Sequence, residues 1–87
     1  MATYYVPTGK GMGDLRSYTS LDEARAYAIR KMRAFGTIAW TVFTDKERRN
    51  LAGRVLAGRY NGRESAYWDI NGHKQRLLMT GKIARRL

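Results

Sequence analysis

Residues 54–76 read RVLAGRYNGRESAYWDINGHKQR and hold two Asn-Gly dipeptides, at positions 61–62 and 71–72. The residues around each dipeptide alternate in character and include the β-branched and aromatic types that favour strands. Asn-Gly is the preferred pair for a type I′ turn, since both central residues of that turn need a positive φ. The stretch therefore predicts three antiparallel strands joined by two tight turns.

These turns fix which residues lie opposite one another. Counting outward from Asn61-Gly62 gives the pairs Tyr60–Arg63, Arg59–Glu64, Ala57–Ala66, Leu56–Tyr67, Val55–Trp68 and Arg54–Asp69. Counting from Asn71-Gly72 gives Ile70–His73, Asp69–Lys74, Trp68–Gln75, Tyr67–Arg76 and Ala66–Leu77. Opposed residues share a face of the sheet, and a slip of one residue would exchange the two faces and bury the charges.

The register sorts the side chains of this meander into two sets. We expect a core face made of Val55, Ala57, Ala66, Trp68, Ile70, Leu77 and Met79. The opposite face, called the outer face below, carries Arg54, Leu56, Tyr60, Arg63, Tyr67, Asp69, Lys74 and Arg76. Because the first set is apolar and the second is basic and aromatic, the outer face is the place to look for a binding function.

The amino-terminal part predicts a strand, a loop and a helix. Residues 3–6 have strand character and end at Pro7, which cannot donate to a strand ladder. Residues 8–18 contain three glycines and predict a mobile loop; Lys10 lies there, but the spacing of a phosphate-binding loop is missing. Ser20 and Glu23 form a capping box, so a helix begins there.

The helix is expected to end at Gly36, with Arg30, Lys31 and Arg33 placed to complement its dipole. Residues 37–43 then alternate as a strand with Ile38, Trp40 and Val42 pointing inward. Residues 45–50 form a charged loop that exposes Arg48 and Arg49.

At the carboxyl end, residues 82–87 predict a last strand. A three-residue loop with Gly81 left-handed would turn Ile83 and Leu87 inward, and we prefer it over a two-residue turn because it buries more apolar surface.

These elements predict a two-layer α+β fold of the order β-α-β-β-β-β, with one helix on one face of an antiparallel meander sheet. We expect residues 1–87 to form a single small basic domain, a monomer or a weak dimer, because the chain has room for only one small core.

There is no cysteine, which suits a reducing compartment and excludes a disulfide framework. The longest apolar run, residues 38–43, is too short to cross a membrane, and the amino terminus lacks signal-peptide features, so a cytoplasmic protein is expected.

Enzyme chemistry is not suggested by the sequence. The acidic residues are scattered and His73 is the only histidine, placed beside a turn. Since a metal site needs converging carboxylates or histidines and a nucleophile needs a neighbouring base, we predict no catalytic residue, no metal and no cofactor.

The charge points to a polyanionic partner. The chain carries 17 basic and 7 acidic residues for a net charge of +10, and its second half holds most of the excess. A strongly basic small domain is typical of proteins that bind nucleic acid. The candidate binding residues are Arg54, Tyr60, Arg63, Tyr67, Lys74, Arg76, Arg48, Arg49 and Lys10.

Several interpretations of these residues stay open. They can contact DNA or RNA phosphates and stack on bases, they can bind an acidic protein surface, or they can pair only with one another or aid solubility. The chain lacks the aromatic octapeptide and second helix of an RNA-recognition motif, and its helix precedes the strands, unlike that of a double-stranded-RNA domain. In size and composition it resembles small phage or mobile-element accessory proteins, including inhibitors of host nucleic-acid enzymes.

Overall fold

The structure, a computed structural model, describes residues 2–11 and 13–85. Over these residues it contains one helix and six strands. In chain order they are β1 (Tyr4–Pro7), β2 (Leu15–Tyr18), α1 (Leu21–Phe35), β3 (Ala39–Phe43), β4 (Leu51–Tyr60), β5 (Arg63–Ile70) and β6 (His73–Leu77). The predicted α+β class, with one helix packed on an antiparallel sheet, is confirmed.

All six strands form one sheet in the order β2-β1-β3-β4-β5-β6. Each neighbouring pair is antiparallel. α1 connects β2 to β3 across one face of this sheet and packs against β1 to β4. The other face carries no helix over the described part of the chain, so the outer face of β4–β6 is open.

The two Asn-Gly turns form as predicted. Asn61 and Asn71 both have φ of 51°, followed by Gly62 at 77° and Gly72 at 84°, which are the positive values a type I′ turn needs. Every cross-strand pair predicted from these turns is present, from Tyr60–Arg63 to Arg54–Asp69 and from Ile70–His73 to Ala66–Leu77. Local turn chemistry therefore sets the register of half the sheet.

The core lies between α1 and the sheet. Its buried apolar residues are Val6, Ala24, Tyr27, Ala28, Ile29, Met32, Val42, Val55, Ala66, Trp68 and Leu77. The helix begins at the expected cap: the Ser20 hydroxyl accepts a 3.3 Å hydrogen bond from the Glu23 amide, while the return bond of a full capping box, from the Ser20 amide to the Glu23 carboxylate, is not formed in the described residues. Gly36 is left-handed at the other end, with φ of 66°. Both caps satisfy backbone groups that the helix itself cannot pair.

The strand boundaries differ from the prediction in two places. The sequence predicts a mobile loop over residues 8–18, yet their last part is strand β2, which pairs with β1. Of the expected last strand over residues 82–87, the described part, residues 82–85, forms only a single bridge between Leu77 and Ile83. Gly81 is left-handed, with φ of 84°, and the half-buried Ile83 packs on the core, so the preferred three-residue loop is confirmed; Leu87 lies outside the described residues.

Four side chains predicted to point into the core are exposed. Ile38 is 81% exposed, Met79 is 53% and Ile70 is 46%, and Ala57 is exposed as well. The 15 residues of α1 span about 22 Å, whereas the 10 residues of β4 span about 33 Å. The face was predicted correctly for Ala57 and Ile70, but the helix is too short to cover the ends of the strands.

One buried contact joins the carboxyl-terminal segment, residues 78–85, to the helix. Arg25 is 6% exposed, and its Nε donates a 2.7 Å hydrogen bond to the Gly81 carbonyl. Its guanidinium also lies 5.2 Å from the Trp68 ring and bonds to Asp22 at 2.5 Å. Gly81 packs directly on the backbone of Asp22 and Ala26, where no side chain would fit.

No helix in the described ranges joins the length and the apolar character that a membrane-spanning segment requires.

Candidate functional site

The outer face of β4–β6 forms a shallow groove of about 660 Å³ beside the carboxyl-terminal segment. It is lined by Tyr60, Tyr67, Lys74, Gln75, Arg76, Ile83, Ala84 and Arg85. A second hollow of about 440 Å³ shares Tyr60 and Arg76 and adds Arg63. Five of the predicted binding residues, Tyr60, Arg63, Tyr67, Lys74 and Arg76, therefore meet in one continuous surface, called the outer groove below.

Arg76 lies over an aromatic ring in this groove. Its guanidinium carbon lies 4.0 Å from the centroid of the Tyr60 ring. Arginine stacked in this way keeps the edges of its planar fork free to donate to a phosphate or carboxylate. Tyr60 is thus better described as a support for Arg76 than as an open platform for a base.

Tyr67 is also committed to the protein itself. Its hydroxyl donates a 2.6 Å hydrogen bond to the Arg59 carbonyl. A Cβ on Gly58 would lie 2.7 Å from the Tyr67 ring, so the ring lies across that glycine. The half-buried Tyr67 forms part of the floor of the groove, and glycine at position 58 makes room for it.

Arg54 lies at the other end of the outer face and has a partner within the protein. Its Nη2 is 3.2 Å from the Asp69 carboxylate. Asp69 is only 5% exposed, although it lies on the helix-free face, and its second oxygen has no hydrogen-bond partner among the described residues. This carboxylate offsets the charge of Arg54, which does not line the outer groove.

The remaining predicted residues lie elsewhere. Arg48 and Arg49 are exposed in the loop before β4, where Asp45 accepts hydrogen bonds from the Arg49 amide. That loop is at the opposite end of β4 from Asn61-Gly62. Lys10 is exposed in the loop between β1 and β2, at the far side of the sheet. The structure does not bring these three residues into the outer groove.

Arg85 is a groove residue that the sequence did not single out. Its segment is placed beside β6 by a 2.8 Å hydrogen bond from the Ala84 amide to the Arg76 carbonyl. The buried contact between Arg25 and Gly81 holds the same segment from the other side. Local sequence predicts neither contact. Arg25 and Gly81 are 56 residues apart, and Ala84 lies outside the regular strands.

Within residues 2–11 and 13–85, no three side chains of the histidine, aspartate and glutamate types converge on a point. His73 is exposed at the start of β6, opposite Ile70. The outer groove therefore offers several cationic donors, with Arg76 over the Tyr60 ring, against one carboxylate, Glu64, at its second hollow, and this excess of positive charge suits the binding of an anion.

Comparison with known proteins adds no relative: no family model, no curated protein and no solved structure matches this chain.

Proposed function

We propose that this protein is a non-enzymatic nucleic-acid-binding protein that contacts phosphates through the outer groove. The observation that carries the proposal is the stacking of the Arg76 guanidinium on Tyr60 at 4.0 Å, in a groove that also contains Lys74, Arg63 and Arg85. An arginine already held over an aromatic ring loses less side-chain entropy when it binds a phosphate.

The aromatic residues support phosphate contact more than base stacking. Tyr60 is covered on one side by Arg76, and Tyr67 lies across Gly58 with its hydroxyl bonded to Arg59. Contacts of this type position a protein on the backbone without reading sequence. We therefore expect little preference among mixed sequences.

The test is a binding titration with mixed-sequence duplex DNA, repeated with single-stranded DNA and with RNA. Binding at ~50 mM salt should weaken steeply as salt rises, since each neutralised phosphate contributes a log–log slope of about −0.9 on duplex DNA. The double variant Lys74→Gln, Arg76→Gln should lower the affinity at least tenfold. It should also make the log–log salt dependence shallower by the amount that about two lost phosphate contacts contribute.

A matched control removes one arginine and one lysine elsewhere. Arg33 and Lys46 are both exposed and lie outside the outer groove. If Arg33→Gln, Lys46→Gln weakens binding as much as the groove variant does, only net charge matters and the groove is not the site. Absence of binding to every nucleic acid tested would favour the alternative, an inhibitor or adaptor that seats an acidic protein on the same arginine and tyrosine surface.

A further inference from the structure

A second group of cations lies on the helix side of the molecule, around the ring of Tyr27. The ring centroid is 5.2 Å from the Arg16 guanidinium carbon, 5.7 Å from that of Arg30 and 5.3 Å from the Lys31 ammonium. Since all three lie within 5.7 Å of one point, no two of them are more than about 11 Å apart. We call Arg16, Arg30 and Lys31 the α1–β2 cation cluster.

The cluster is built by the fold. Arg30 and Lys31 follow Tyr27 by one helical turn, so all three share a flank of α1. Arg16 comes from β2, the edge strand next to β1. Tyr27 is 6% exposed and also packs on Tyr18, with ring centroids 5.6 Å apart. The buried Tyr27 ring fixes where the three cations lie.

Cation–π contacts hold the three cations around the Tyr27 ring but do not neutralise their charge. Because the three like charges lie within about 11 Å of one another, they form one concentrated positive patch. The ion pairs in the described part of the chain, Arg25–Asp22 and Arg54–Asp69, involve none of the three. The Tyr18 hydroxyl beside them is buried and has no hydrogen-bond partner among the described residues.

A bound polyanion would supply the missing negative charge. Duplex DNA carries one negative charge per about 1.7 Å of helix axis, so three cations within about 11 Å would meet several phosphates together. Two acidic residues lie near in sequence: Glu23 is exposed one turn before Tyr27, and Asp14 lies two residues before Arg16, where its carboxylate accepts a hydrogen bond from Thr8. Two carboxylates leave the three cations with a net positive charge.

The cluster and the outer groove face away from each other. β2 and β6 are opposite edges of the sheet, about 24 Å apart for five strand spacings, and α1 covers the face opposite the groove. A straight duplex on one surface cannot reach the other. Bending it around a molecule of 37 × 29 × 22 Å is costly, because duplex DNA persists over about 150 base pairs.

We infer that the α1–β2 cation cluster is a second phosphate-binding surface, so that one molecule holds two nucleic-acid segments at once. This inference rests on the proposed function of the outer groove and adds bridging to it.

The experiment is a capture assay with two short mixed-sequence duplexes, one fixed to beads and one labelled. The wild-type protein should carry the labelled duplex to the beads. Arg30→Gln, Lys31→Gln should reduce capture at least tenfold while its affinity for a single duplex changes only a few-fold. Arg16→Gln should also reduce capture. Because Arg16 lies in β2, a loss of capture in this variant cannot come from a defect in α1.

The control is again Arg33→Gln, Lys46→Gln, which removes the same residue types; Arg33 lies on the other flank of α1, near Ala57 and Glu64. It should capture as the wild type does, and thermal melting should show that every variant is folded. Capture that is unchanged in the cluster variants would overturn the inference and point to bridging by a protein dimer. Single-duplex binding without capture would overturn the inference alone, whereas absence of binding to every nucleic acid tested, duplex or single-stranded, would overturn the proposed function with it.

Discussion

The Nε of Arg25 donates a buried 2.7 Å hydrogen bond to the carbonyl of Gly81, which lies 56 residues further along the chain. The same guanidinium lies over Trp68 and bonds to Asp22. One side chain thus joins the first turn of α1, the core and the segment that borders the outer groove. A long-range contact of this kind couples the integrity of the fold to the shape of the groove.

Replacing Arg25 with methionine should lower the free energy of unfolding by about 1–3 kcal/mol, because the buried Gly81 carbonyl loses its donor. Methionine keeps an apolar contact with Trp68. Urea denaturation followed by circular dichroism measures the change. Arg33→Met, at an exposed helix position, is the control and should stay within about 0.5 kcal/mol of the wild type; equal effects would show that the buried contact is not stabilising.

Gly58 and Tyr67 should be energetically coupled. Gly58→Ala places a methyl group 2.7 Å from the Tyr67 ring, so it should destabilise the wild type by about 1–3 kcal/mol. In a Tyr67→Ala background the same substitution should be close to neutral, since the ring is gone. A double-mutant cycle measured by chemical denaturation gives the coupling. Additive effects would mean that the ring does not lie across the glycine.

The hydroxyl of Tyr67 should contribute modestly to stability. Tyr67→Phe keeps the ring and removes the bond to the Arg59 carbonyl, at a cost of about 0.5–1.5 kcal/mol. Trp68→Ala, one position along and on the core face, should cost about 3–5 kcal/mol, and Trp68→Phe serves if the alanine variant does not fold. A larger loss from Tyr67→Phe than from Trp68→Ala would contradict the face assignment.

Burial raises the pKa of the Tyr18 hydroxyl above its usual value of 10.0, and Tyr27 and Glu23 act in the same direction; Arg16 and Arg30 oppose them. Because the folded state holds this proton more tightly than the unfolded chain, its contribution to stability is complete below pH 10 and is lost as the pH rises through the folded pKa. Tyr18→Phe should therefore show a smaller loss of stability above pH 10 than the wild type. Parallel stability curves for the two proteins would contradict this assignment.

Local turn chemistry and strand parity make the meander predictable. Asn61-Gly62 and Asn71-Gly72 fix the register, and the register by itself places Tyr60, Tyr67 and Arg76 on one face of the sheet. The helix ends are predictable for the same reason, since Ser20 and Gly36 satisfy backbone groups locally.

What the sequence could not predict depends on tertiary contacts. Strand β2 has only four residues and forms by pairing with β1, so its alternation is too short to stand out. Parity places Ala57 on the core face but does not say that α1 stops short of it. The α1–β2 cation cluster has no sequence signal of its own, because the helix dipole already explains Arg30 and Lys31, and Arg16 joins them only through β2.

The contact between Arg25 and Gly81 also has a kinetic consequence. The hairpins of β4–β6 bring together neighbours along the chain, which can meet early, whereas this contact must close a long loop and should form after the folding transition state. Arg25→Met should then speed unfolding and leave the folding rate nearly unchanged. Separation of the carboxyl-terminal segment from α1 would consequently be the first step of unfolding, and the lifetime of the intact outer groove would be set there.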